Sequence, residues 1–205
     1  MKMDPNTEEF IAFTVKHMLE NNISVHLTHK KEVSPGVGGE FGEQGDSKGY
    51  SNGVHHFECA TKRPLKNWLS VYVHESAHFL QYLDKDSIWH KGEDHVDKLF
   101  NWFDNEGKAT KRDVYGCQML ELDCEKRAVE LIKEYGLKLN LDRYYQESNA
   151  YLFIYNVAYE TRKWPKKSPY KIPKIVDMMP TKHLNKTAYK KSPSGYTRLI
   201  KKHCY

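Results

Sequence analysis

The sequence predicts a mainly helical α+β fold with a small β-sheet near the N-terminus. Several long stretches repeat apolar residues at the spacing of an amphipathic helix, and two short early stretches alternate apolar and polar residues as strands do. From Trp164 onward neither period is present, and prolines lie among lysines and tyrosines. We therefore expect a folded domain over residues 1–163 and an extended basic segment over residues 164–205 that wraps it.

The N-terminal part is predicted to start with a helix and to continue with two strands. Asn6 followed three residues later by Glu9 is typical of a helix N-terminus, and apolar residues at helical spacing follow. Residues 23–27 alternate as a first strand, and residues 54–61 alternate as a second that could run back beside the first. Residues 34–53 are rich in glycine, so we expect no regular element there but a mobile hairpin or flap.

The remainder of the domain is predicted to be helical. Pro64 suits the first position of a helix, and Gly136 is placed to end a long one. The helices are expected over residues 64–83, 95–103, 111–135 and 141–164.

Composition and cysteine pattern favour a cytoplasmic protein. The chain of 205 residues is 39% hydrophobic and 29% charged, and no apolar run approaches the ~20 residues of a membrane span. The N-terminal "MKMDPNTEEFIAF" is acidic where a secretory signal would be basic. The cysteines form no C-x-x-C pair, so we expect structural thiols. They are Cys59, Cys117, Cys124 and Cys204.

Positive charge is concentrated at the end of the chain. Residues 162–205 hold 13 bases and one acid, Asp177, which gives +12, whereas residues 1–161 hold 19 bases and 26 acids, which gives −7. Bases interleaved with aromatic residues can bind phosphates and stack on nucleobases, so nucleic acid or ribosome contact is one interpretation. A solvated scaffold that pairs with the acidic body is the other. The aromatic residues are Trp164, Tyr170, Tyr189 and Tyr196.

The stretch "HESAH" places a metal-binding pattern inside the predicted helix 64–83. Residues four apart share a helix face, so His74 and His78 can direct both imidazoles at one ion. Glu75 lies one step round the helix, where it can act on a water beside the metal. This H-E-x-x-H arrangement is typical of zinc metallopeptidases and predicts a Zn²⁺ site with Glu75 as general base. The alternative, partly buried histidines and a surface acid, would be hard to solvate among the apolar flanks.

A third zinc ligand is expected from a later helix. Together with H-E-x-x-H, the stretch "ELDCEKRAVELI" at residues 121–132 resembles a gluzincin, and its pattern is similar to that of ImmA/IrrE-like peptidases. The resemblance implies that Glu121 binds the metal, that small Cys124 lets the helices approach, and that Glu125 orients a ligand histidine. Because Glu125 is longer than the usual aspartate or asparagine, it is also an alternative ligand.

Two further resemblances leave other interpretations open. The stretch after the motif is loosely similar to SprT/Spartan-type proteases, whose third ligand is a histidine followed by an aromatic residue. His95 and Phe100 fit that pattern only in part, and His90 is a further candidate. The chain also resembles small H-E-x-x-H proteins encoded by tailed phages, which implies a compact zincin in the host cytoplasm.

The resemblance implies hydrolysis of a peptide or protein substrate by a zinc metallopeptidase. In related enzymes an edge strand ahead of the active helix holds the substrate as an added strand. Residues 54–61 come directly before the H-E-x-x-H helix in the chain and so correspond to that strand. Tyr151 and Tyr155 are candidates for the donor to the developing oxyanion, although tyrosines on such a helix more often pack. The alternatives are a nucleic-acid- or ribosome-associated binding protein on the same scaffold, and a SprT-like protease of DNA-bound proteins.

Overall fold

The structure is a computed structural model that describes residues 3–45 and 51–205. Its described residues form seven α-helices and one three-stranded sheet, so the predicted α+β class is confirmed. None of these helices has both the length and the apolarity that crossing a membrane requires. The chain divides into two compact units, the first Met1–Leu83 with Arg127–Leu139, the second Asp84–Lys126 with Asn140–Tyr205.

The first unit combines one sheet with helices. Its elements are α1 (Pro5–Glu20), β1 (Ser24–Thr28), β2 (Gly39–Gly45), β3 (Ser51–Ala60), α2 (Leu65–Leu83) and the last part of α4 (Lys111–Glu134). β3 is the central strand, parallel to β1 and antiparallel to β2. β1 and β2 therefore form the two edges of the sheet.

The glycine-rich stretch and the second predicted strand differ from expectation. Residues 34–53 contain β2 and the start of β3, which pair as a hairpin, so the hairpin is confirmed and the expectation of no regular element was wrong. Residues 46–50 of that stretch lie outside the described residues. The strand predicted at 54–61 lies beside β1 as predicted, but it is parallel to β1 and does not run back, because β2 comes between the two strands in the chain.

The first helix begins earlier than predicted. Asp4, and not Asn6, is the N-cap, and its side chain accepts a hydrogen bond from the backbone N–H of Thr7 at 3.4 Å. Pro5 occupies the start of the helix, where its missing N–H costs nothing.

One fully buried tyrosine of α2 contacts both the sheet and α1. Tyr72 is fully buried, its ring centroid lies 5.0 Å from that of Phe57 on β3, and its hydroxyl lies 2.6 Å from Oγ1 of Thr14 on α1. Burial raises the pKa of Tyr72 to about 12, so the hydroxyl keeps its proton for this hydrogen bond. His74 and His78 lie about 200–240° around the helix from Tyr72, so they project from a different face of α2.

The second unit is helical. It contains α3 (Trp89–Phe103), the first part of α4, α5 (Leu141–Thr161), α6 (Pro173–Val176), α7 (Tyr196–His203) and 3₁₀-helices at Pro169–Lys171 and Lys186–Lys190. Its core is built around α5, whose Leu152, Phe153 and Val157 are fully buried. All four cysteines of the chain are free and buried, and their role as structural thiols stays a prediction.

The basic segment is less extended than expected. Residues 164–205 form short helical turns that contribute buried side chains to the core of the second unit, among them Ile175, Tyr189, Tyr196 and Ile200. These helices have at most eight residues, too few for a helical period to be visible in the sequence. The segment groups with α5 in one compact unit, and the predicted domain boundary at 163/164 stays a prediction.

Candidate metal centre

α2 carries the H-E-x-x-H residues in its middle. The ring centroids of His74 and His78 are 4.7 Å apart, and their planes are nearly perpendicular, at 89°. Glu75 and His78 are buried, with 8% and 7% of their surface exposed, and His74 is partly buried. The helix thus presents two imidazoles one turn apart with a buried carboxylate beside them.

The orientation of one imidazole is set by a hydrogen bond. Nδ1 of His78 lies 2.8 Å from Oε1 of Gln81, which is itself fully buried. An amide oxygen only accepts, so Nδ1 must carry the proton. Nε2 of His78 is then the nitrogen with a lone pair for a metal, the arrangement in which a neighbouring acceptor fixes the tautomer of a ligand histidine.

A third potential ligand comes from α4. The ligand atoms of His74, His78 and Cys124 all lie within 4.8 Å of one another, and among the described residues they form the one such group of histidine, cysteine or acidic side chains. This group is close enough to bind a metal ion. Imidazole nitrogen and thiolate sulfur are preferred zinc donors, and tetrahedral ligation would separate them by about 3.4–3.8 Å. The donor set therefore fits zinc with small adjustments.

The sequence interpretation assigned Cys124 to packing and not to metal binding. Glu121, Cys124 and Glu125 lie within about one helical turn, so all three side chains project from neighbouring positions of α4. Both carboxylates are buried, but neither belongs to the group of three. The sequence could have indicated Cys124 as a ligand, because cysteine is itself a common zinc ligand. The role of Glu121 as a ligand stays a prediction.

Glu121 is bound by a tyrosine of α5. The hydroxyl of Tyr155 donates to Oε1 of Glu121 at 2.9 Å, within the second unit. Burial, and after it the charge of Glu121, raises the pKa of Tyr155 well above its ordinary value, so the phenol keeps its proton. The interpretation of Tyr155 as an oxyanion donor is not favoured by this contact, since its proton is already used. Tyr151 packs against Tyr155 with ring centroids 5.8 Å apart.

His95 of α3 contacts the start of α4 through its imidazole ring. Its Nδ1 lies 2.8 Å from Oδ1 of Asp113, and its ring lies so close to Gly116 that a Cβ added there would be 2.1 Å from its Cδ2. Gly116 therefore permits the close approach of His95 to α4. His95 is outside the metal-capable group, as is His90, which is exposed.

The start of β2 lies against α2 beside Glu75. A Cβ added to Gly39 would be 2.7 Å from Cγ1 of Val71 and 3.1 Å from Cγ of Glu75. A side chain at position 39 would push the strand away from the helix. The edge strand beside Glu75 is therefore β2, and the expectation for residues 54–61 is corrected because they lie in central β3.

Comparison with protein-family models, with curated proteins and with solved structures gives no match.

Proposed function

We propose that this protein is a zinc-dependent peptidase whose metal is held by His74, His78 and a donor of α4. The observation that carries the proposal is the group formed by His74, His78 and Cys124, with Glu75 inside the same helical turn. Cys124 is the donor of α4 that the distances favour, and Glu121 is the donor that the gluzincin resemblance implies.

Glu75 is suited to the role of general base. Its carboxylate is buried in the helix that carries both histidines, so it can accept a proton from a water molecule attacking a substrate carbonyl and pass it to the leaving amine. A bound zinc ion would supply Lewis acidity, polarising that carbonyl and lowering the pKa of water. The contact of His78 with Gln81 holds the imidazole in one orientation, with Nε2 as the nitrogen that would bind the metal.

β2 is suited to binding an extended peptide. An edge strand presents backbone N–H and C=O groups that an added strand can pair with. Because Gly39 brings β2 into contact with the Glu75 side chain, a peptide paired with this edge would pass near the general base. Recognition through the backbone would favour unfolded or extended segments of protein substrates.

The test separates metal binding from catalysis. We expect the purified full-length chain to bind about one zinc ion, measured by elemental analysis, and to cleave peptides of a proteome-derived library, measured by mass spectrometry. His74→Ala and His78→Ala should lose the metal. Glu75→Gln should keep it and lose cleavage by at least about 100-fold.

The matched control is His29→Ala, which removes an exposed histidine of the same unit and should change neither readout. A chain that takes up no zinc, or a Glu75→Gln variant that cleaves as fast as the unmodified protein, would overturn the proposal.

A further inference from the structure

Every lysine and arginine of residues 162–205 is exposed. The segment contains one acid, Asp177, whose carboxylate is already bound by Arg143 at 2.7 Å. The formal balance of +12, from 13 bases and one acid, is therefore carried on the surface. The exposed bases are Arg162, Lys163, Lys166, Lys167, Lys171, Lys174, Lys182, Lys186, Lys190, Lys191, Arg198, Lys201 and Lys202.

Three of the aromatic residues between these bases pack inside the fold, namely Trp164, Tyr189 and Tyr196. Tyr189 and Tyr196 are fully buried, and the hydroxyl of Tyr189 donates to Asn149 of α5. Trp164 packs on Tyr155 with ring centroids 5.2 Å apart. These three rings are thus engaged in the core of the second unit and its edge, which leaves charge as the main means by which the segment can bind a ligand.

The segment is held along α5. Nδ2 of Asn149 donates to the carbonyl of Lys182 at 3.0 Å, and near the end of the helix Lys201 pairs with Glu160 at 3.7 Å. A helix of 21 residues is about 30 Å long. The two contacts lie eleven residues apart on α5, which is about 17 Å of helix, or about five base pairs of duplex at 3.4 Å for each step.

We propose that residues 162–205 form a binding surface for the phosphate backbone of a nucleic acid duplex, without selection for base sequence. Lysine and arginine side chains bind phosphates and release counterions, which supplies most of the free energy of non-specific binding. Exposed Thr181 and Asn185 add neutral donors of the kind that contact phosphates. This inference is independent of the metal centre.

The structure favours nucleic acid over a membrane surface. The sequence of α7 has an apolar and a basic face, as helices at a lipid interface do. However, Tyr196 and Ile200 on its apolar face are fully buried in the protein. The exposed large hydrophobic side chains of the described residues are all at position 100 or earlier, so the basic surface has nothing of that kind to insert into lipid.

The test compares two sets of four lysines. Binding of the full-length chain to a labelled random-sequence duplex of about 20 base pairs is measured by fluorescence anisotropy against potassium chloride concentration, with DNA and RNA duplexes in separate arms. Substitution of Lys182, Lys186, Lys191 and Lys202 by glutamine should weaken binding at least tenfold. It should also reduce the slope of log affinity against log salt by up to about 3–4.

The matched control substitutes the exposed Lys30, Lys31, Lys62 and Lys66 of the first unit by glutamine, which changes the net charge equally. It should bind within about twofold of the unmodified chain, because only lysines at the binding surface contact the phosphates of the duplex. Equal weakening in both sets would mean that net charge alone acts and would overturn the proposal. So would binding to phosphatidylserine vesicles with no binding to either duplex. Circular dichroism of both variants checks that the fold is retained.

Discussion

The hydroxyl of Tyr155 on α5 donates a hydrogen bond of 2.9 Å to the buried carboxylate of Glu121 on α4. This contact lies next to the turn of α4 from which a metal ligand is proposed. Burial raises the pKa of the Tyr155 phenol well above its ordinary value, so the hydroxyl keeps its proton for this bond.

We expect the effects of substituting Tyr155 and Glu121 on the free energy of unfolding to be coupled. A glutamine at position 121 still accepts from the Tyr155 hydroxyl but without the charge, so the effects of Tyr155→Phe and Glu121→Gln on the free energy of unfolding should be non-additive by about 1 kcal/mol. The measurement is chemical denaturation of metal-free protein. Tyr196→Phe is the control, since its hydroxyl donates to the backbone carbonyl of Ala150, and it should add to Glu121→Gln without coupling. Additivity in both pairs would contradict the assignment.

The thiol of Cys124 should coordinate the metal. With cobalt(II) in place of zinc, the unmodified chain should show the near-ultraviolet charge-transfer absorption of a thiolate ligand, and Cys124→Ala should lose it together with metal affinity. Cys117→Ala is the control, because burial raises the pKa of the Cys117 thiol to about 12 and keeps it protonated. Metal loss in Glu121→Gln but not in Cys124→Ala would instead favour the glutamate ligand.

Gly39 and Gly42 lie on the same strand and should respond differently to substitution. Gly39→Ala forces a methyl group into Val71 and Glu75, and we expect a loss of about 1–3 kcal/mol in the free energy of unfolding and slower peptide cleavage. Nothing lies within 4 Å of a Cβ added at Gly42, so Gly42→Ala should leave both unchanged. Thermal unfolding measures the change in stability, and peptide cleavage rates measure the change in activity. Equal effects at both positions would contradict the close contact between β2 and α2.

The start of α4 should make stability depend on pH in the acidic range. Burial acts to raise the pKa of Asp113, but hydrogen bonds from Thr110 and His95 outweigh it and lower that pKa to about 2. A carboxyl whose pKa is depressed on folding stabilises the protein above its ordinary pKa of 3.8, and this stabilisation is lost as pH falls from about 4 to 2.

Unfolding free energies measured between pH 2 and pH 7 test this prediction. The difference between the unmodified chain and Asp113→Asn should be largest near neutrality and shrink below pH 4. Asp97→Asn, at an exposed position of α3, should show almost no difference at any pH. A difference for Asp113→Asn that stays constant with pH would refute the role of its ionisation.

The long helices were predictable because amphipathic periodicity extends over many residues in each of them. The predicted 64–83 and 111–135 correspond closely to α2 (Leu65–Leu83) and α4 (Lys111–Glu134), and Gly136 has the positive φ of 58° that a helix-ending glycine adopts. β2 was missed because a glycine-rich stretch has little intrinsic strand preference and becomes a strand through its pairing with β3.

The sequence by itself determined the helical framework, the placement of His74, Glu75 and His78 on one helix, and the accumulation of bases after residue 161. Tertiary structure decided that Cys124 of α4 belongs to the group with the two histidines, which strand forms the edge beside Glu75, and that Tyr189 and Tyr196 of the basic segment are buried. Local periodicity specifies which side chains share a face of one element. It carries no information on which face of another element they meet, because that depends on packing between residues distant in the chain.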